Sequence, residues 1–135
     1  MNISNIEHIG IAVKDLKESI NYYEDVLGLK CYRIEEVKDQ KVKTAFFIIG
    51  QTKIELLETT DPAGPIGKFI EKRGEGIHHL AFAVDDVDSA LEEVEKKGIE
   101  LIDKNSRLGA EELRIAFLHP KSTFGVLTEF CSKEK

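Results

Sequence analysis

Two histidines and two glutamates carry the chemistry available to this chain, and they stand at matching places in two halves of one sequence. His8 opens the run His8-Ile9-Gly10-Ile11-Ala12-Val13, and His79 opens His79-Leu80-Ala81-Phe82-Ala83-Val84, 71 positions later. Glu55 lies inside Ile54-Glu55-Leu56-Leu57, and Glu129 inside Leu127-Thr128-Glu129-Phe130-Cys131. The histidine-to-glutamate separation is 47 residues in one copy (8 to 55) and 50 in the other (79 to 129). An acid in the middle of an apolar strand is costly unless it is paired, protonated or bound to a metal. Two imidazoles and two carboxylates converging on one cavity would make a mixed nitrogen and oxygen site for Co, Mn, Ni, Fe or Zn, with positions left for water or substrate. Singly, each residue has a plainer explanation as a satisfied edge histidine or a solvent-facing glutamate. Repetition in register favours the metal. His78 and His119 have no repeat partners, and both are expected to be structural.

The elements that must hold these groups follow from periodicity. Alternation in both histidine runs reads as half-buried strands. Side chains change face at every step, so His8 shares a face with Gly10 and Ala12, and His79 with Ala81 and Ala83. The opposite faces are greasy and belong under helices. The small-residue faces look like the floor of a cavity. In chain order we expect a strand at about 6–13 and a helix capped by Asp15, with Glu18 three residues on, stopped by Gly28. Strands are expected at 29–37, 42–49 and 53–58. A turn-rich connector holds Pro62, Gly64, Pro65, Gly67, Gly74 and Gly76, with a short helix around Ile66, Phe69 and Ile70. The pattern then repeats: strand 77–84, a helix capped by Asp86 and ended by Gly98, and strands at about 99–102, 113–118 and 125–131. Ala45-Phe46 recurs as Ala116-Phe117, again 71 apart. The expectation is an α+β protein: two tandem β-α-β-β-β modules pairing into an open, curved sheet around a metal-containing cavity. Module 1 covers about 4–59, the connector 60–75 and module 2 about 76–132, all within a single domain 1–135.

Composition bounds the function classes. With 135 residues and 41% of them apolar, the chain can bury a core. A net charge of -6 argues against nucleic acid as the main partner. No apolar stretch approaches a membrane span, and Met1-Asn2-Ile3-Ser4 lacks the blocks of a signal peptide. Cys31 and Cys131 make no metal or redox spacing, which suits buried thiols in a cytoplasmic protein. Glu92-Glu93, Lys96-Lys97 and the tail charges Lys133, Glu134 and Lys135 read as solvated surface.

His8–Val13, Asn21-Tyr22-Tyr23 through Gly28, Ile54–Leu57, His79–Val84 and Gly125–Phe130 resemble the vicinal oxygen chelate (glyoxalase/bleomycin resistance/dioxygenase) superfamily. Within it, Gly76–Phe82, His119-Pro120-Lys121-Ser122 and Gly125–Glu129 are similar to the methylmalonyl-CoA epimerase family. The similarity covers nearly the whole chain. It implies a metal-dependent epimerase that interconverts (R)- and (S)-methylmalonyl-CoA, removing and returning the C2 proton through a metal-stabilised enolate. His8, Glu55, His79 and Glu129 would be the metal ligands, with cobalt first among the metals, and Glu129 would also be the base. Some members carry a carboxylate near the position of Thr44; Glu55, Lys43 or a bound water could serve in its place. Lys121, Arg107 and Arg114 could meet the phosphates of an acyl-CoA substrate. The resemblance also implies a homodimer. Glyoxalase I is the first alternative, although its usual glutathione contacts would fall on Ala12 and Thr59. A non-catalytic small-molecule-binding protein of the same fold is the second; extradiol dioxygenases are usually longer.

Overall fold

Asp15 accepts a hydrogen bond from Glu18 N–H at 3.0 Å and caps α1 (Leu16–Asn21), as the spacing predicts. The structure is a computed structural model and describes residues 1–134. Lys135, grouped above with the surface charges, lies outside the described residues. The fold is mixed α+β, with eight strands and three α-helices among those residues. Two compact units divide it: His8–His78, and Met1–Glu7 together with the residues from His79 onward.

The unit His8–His78 holds the later part of β1 (Ile3–Ala12), then α1, β2 (Arg33–Val37), β3 (Val42–Ile49), β4 (Thr52–Thr59) and α2 (Pro65–Arg73). Its strands lie in the order β2-β3-β4-β1, with β4 parallel to β1 and antiparallel to β3. Leu16 of α1 packs on Val13, Ala45, Phe47 and Leu56, the greasy face. On the other face Ile66 of α2 packs on Ala12, Val42 and Leu57. α2 begins with Pro65 at its first turn, where a missing N–H is harmless. Gly67 is required there, because a Cβ would stand 2.4 Å from the Pro62 carbonyl oxygen.

Two expectations in this unit are corrected. The helix expected to run on to Gly28 changes after Asn21 into a π-helical turn, Tyr22–Val26, in which Tyr23 lies 5.3 Å from the ring of Phe47. The strand expected from 29 begins only at Arg33. Leu29 N–H bonds to Tyr23 O and Cys31 N–H to the Glu24 carboxylate, so the helix end takes the donors that a strand partner would need.

The other unit holds the start of β1, most of β5 (Gly76–Val84), α3 (Val87–Lys96), β6 (Arg107–Leu108), β7 (Leu113–Leu118) and β8 (Thr128–Lys133). Its strand order is β1-β5-β8-β7-β6. Asp86 caps α3 through Ser89 N–H at 3.0 Å. The stripe Val87, Ala90, Leu91 and Val94 is buried on Ala116, Leu118 and Phe130. The strand expected at 99–102 is reduced to one bridge, Leu101 to Leu118. There the Asp103 carboxylate takes Phe117 N–H at 2.8 Å, a donor the ladder would otherwise use. The last strand starts at Thr128 rather than 125, since Gly125 and Val126 N–H close a turn on Pro120 and Thr123. Glu92, Lys96, Lys97, Lys133 and Glu134 are exposed as expected, whereas Glu93 is half-buried.

Candidate active site

Register decides which side chains share a face. In the unit His8–His78, Gly10, Glu55, Phe46 and Arg33 are successive cross-strand partners in one row. Ala12, Leu57, Thr44 and Glu35 form the next row on the same face. His8 joins that face, two positions before Gly10. Its Nδ1 lies 3.1 Å from Glu55 Oε2. Of the small residues on that face Gly10 is buried, and Ala12 is covered by Ile66 of α2, so the open floor expected over both is closed at Ala12.

The second unit repeats this arrangement. Ala81, Glu129 and Phe117 form one row, and Ala83, Cys131, Ile115 and Arg107 the next. His79 Nε2 lies 3.1 Å from Glu129 Oε1, and its ring meets Phe117 edge-on at 5.6 Å. Phe46 and Phe117, 71 apart, are thus the partners of the two site glutamates. Of the recurring Ala-Phe pair only the phenylalanine shares the glutamate's face; Ala45 and Ala116 pack under α1 and α3 on the other.

The four residues are 3 to 6% exposed: His8 4%, Glu55 5%, His79 6% and Glu129 3%. At that burial a carboxylate needs a partner, and in each unit the histidine supplies it. The donor chemistry fits a divalent ion. Each pair brings an imidazole nitrogen and a carboxylate oxygen, both ligand types for such an ion, to 3.1 Å of one another.

Of the remaining residues, His78 is half-buried and stacks edge-on with Phe69 at 4.9 Å. His119 Nδ1 accepts Lys121 N–H at 3.1 Å and caps the short turn Pro120–Ser122. Both have structural work, as expected. The two arginines separate by face. Arg107 shares the face of Glu129, held by Asp103 at 3.4 Å and lying 5.7 Å over the Phe117 ring. Arg114 pairs with Ser132 on the opposite face and donates to the Ser106 carbonyl at 2.7 Å. Lys121 is exposed. Lys43 pairs with Glu36 and Glu58, so it faces away from Glu55.

Sequence reasoning passed over Cys131. Both cysteines are free, and Cys131 is buried with its thiol donating to Glu129 Oε2 at 3.1 Å. The signal was available: two steps along a strand return to the same face. Cys31 is only half-buried and donates to Arg33 O at 3.3 Å.

Comparison with known proteins gives the family. Residues 7–117 match the Glyoxalase/Bleomycin resistance protein/Dioxygenase superfamily. The uncharacterized protein YqjC of Bacillus subtilis is 41% identical over 129 residues, covering 96% of this chain and 92% of that protein. The ethylmalonyl-CoA/methylmalonyl-CoA epimerase of Cereibacter sphaeroides is 33% identical over 129 residues, 94% of this chain and 96% of that enzyme. Among solved structures, a variant of the Streptomyces coelicolor methylmalonyl-CoA epimerase in complex with 2-nitronate-propionyl-CoA has a TM-score of 0.95. It is 36% identical, covering 98% of this chain and 96% of that one. With its repeated strand histidines, its mixed α+β fold and a match across most of its length, the chain belongs to the glyoxalase/bleomycin resistance/dioxygenase superfamily.

Proposed function

We propose that the chain is a metal-dependent methylmalonyl-CoA epimerase that interconverts the (R) and (S) forms by moving the C2 proton. The observation that carries this reading is the buried Glu129, met by His79 at Oε1 and by the Cys131 thiol at Oε2. The epimerases among its relatives support it. The C2 hydrogen of such a substrate lies between a thioester carbonyl and a carboxylate, and a buried carboxylate beside it is a fitting general base. Glu129 takes that proton on Oε2, where the Cys131 thiol orients the carboxylate. His8, Glu55, His79 and Glu129 are the residues that hold the ion, with cobalt first and Mn, Ni, Zn or Fe as alternatives. When bound, the ion supplies positive charge next to the carbonyl oxygen. Arg107, on the face of Glu129, is the basic group best placed for a substrate anion; the exposed Lys121 is assigned to the CoA phosphates, whereas Arg114 lies on the opposite face and is held by Ser106 and Glu134. A homodimer in the cytoplasm completes the reading, and sedimentation and cell fractionation test those two parts.

The deciding experiment strips the protein of metal, restores cobalt or manganese, and follows deuterium entering C2 of methylmalonyl-CoA and ethylmalonyl-CoA in heavy water. Exchange only after reloading is expected. Glu129→Gln should slow it by about 10²–10⁴-fold. No exchange with either acyl-CoA, together with turnover of the glutathione hemithioacetal of methylglyoxal, would replace this reading with glyoxalase I.

A further inference from the structure

Epimerisation takes a proton from one face of a carbon and delivers one to the other, so a second group has to serve the face that Glu129 does not. We infer that Glu35 is this second acid/base, an assignment that rests on the epimerase reading. Among the strand residues on the Glu55 face of the unit His8–His78, the titratable side chains besides His8 and Glu55 are Arg33, Glu35 and Lys53; the one acid on α2, which packs on the same face, is the exposed Glu71. A guanidinium or an ammonium has no lone pair with which to take a proton, whereas a carboxylate has several. Glu35 is the direct partner of Thr44, and Thr44 of Leu57, on the strand that carries Glu55. Adjacent strands lie about 4.8 Å apart, and the side chain between Glu35 and β4 in that row is the short Thr44, 1% exposed. Arg33 Nη2 braces Glu35 Oε1 at 3.1 Å.

The repeat supports the assignment independently. Thr44 and Ile115 are 71 apart, and their outer-strand partners are Glu35 and Arg107. Each half therefore brings one braced, charged side chain to the same row of its site face. One is a carboxylate and one a guanidinium, a proton carrier and an anion binder. In one direction the Glu35 carboxylate takes the C2 proton, and the C–H electron pair moves into the thioester as the enolate. Protonated Glu129 then delivers its proton to the opposite face of C2. The reverse reaction exchanges the roles, and each carboxyl group resets its proton with water.

The test compares wild type with Glu35→Gln, starting from each pure epimer of methylmalonyl-CoA in heavy water. Wild type should exchange and epimerise both. The variant should lose epimerisation by about 10²–10⁴-fold, yet keep deuterium entry with retained configuration from the one epimer whose C2 hydrogen meets Glu129. That surviving exchange also shows that the variant is folded. Adding Thr44→Glu to Glu35→Gln should restore epimerisation, because it returns a carboxylate one strand away in the same row. Unchanged epimerisation by Glu35→Gln, or equal loss of exchange from both epimers, would overturn the assignment while wild-type exchange kept the epimerase reading intact. Absence of exchange in wild type would sink that reading, and the assignment with it.

Discussion

Glu55→Ala removes the carboxylate that meets His8 Nδ1, and His79→Ala removes the imidazole that meets Glu129. If the two pairs share one ion, either change deletes one of its four protein ligands, so metal bound at micromolar free concentration should fall from one per chain to a small fraction. Elemental analysis after gel filtration reads this directly, and full occupancy in either variant would remove that residue from the ligand set. The two buried pairs, His8 with Glu55 and His79 with Glu129, were legible in the sequence because a buried acid needs a partner and the pattern was written twice. Glu35 was not legible, and Arg107 was singled out only as one of three basic residues that could meet phosphates, without its place on the Glu129 face. Their roles depend on which residue lies across the ladder, and the register of a short outer strand such as Arg107–Leu108 leaves no periodic trace in the sequence. Cys131 was judged by its spacing to Cys31, which is silent, instead of by its step from Glu129.

At the scale of elements, β5 owes its function to what it lacks. Ala81 is 0% exposed, is the partner of Glu129, and packs with Ile115 and Cys131. Ala81→Leu forces a larger side chain into that row, which should destabilise the fold by about 1–3 kcal/mol and weaken acyl-CoA binding far more than the stability loss explains. Calorimetric titration of methylmalonyl-CoA at a temperature where the variant is fully folded checks it; unchanged affinity would mean that substrate does not lie over this face. Helices α1 and α3 were readable to their caps, since a side-chain acceptor three residues before a donor is a local signal. The ends of β2 and β8 and the region 99–102 were not, because there the backbone donors go to turns and side chains that only the tertiary fold brings near.

For the whole molecule, the repeat raises the question of whether two similar units, each with its own apolar cluster, unfold together. β1 is one continuous ten-residue strand, Ile3–Ala12, whose residues up to Glu7 belong to one unit and whose residues from His8 belong to the other. A strand cannot be ordered in one half and released in the other without giving up ladder hydrogen bonds at the break, which favours a single transition. The chain supplies its own reporter. It has no tryptophan, and its three tyrosines, Tyr22, Tyr23 and Tyr32, all lie in the unit His8–His78. Leu91, 1% exposed, lies in the other unit, on α3 against Ala116, Leu118 and Phe130. Leu91→Ala should lower stability by about 2–5 kcal/mol through lost burial and the cavity it leaves. If β1 couples the units, the midpoint followed by tyrosine fluorescence should fall as far as the midpoint followed by far-ultraviolet circular dichroism. A tyrosine transition that stays at the wild-type midpoint while the dichroism splits in two would show that the units unfold independently, and that a repeated sequence here encodes two stabilities.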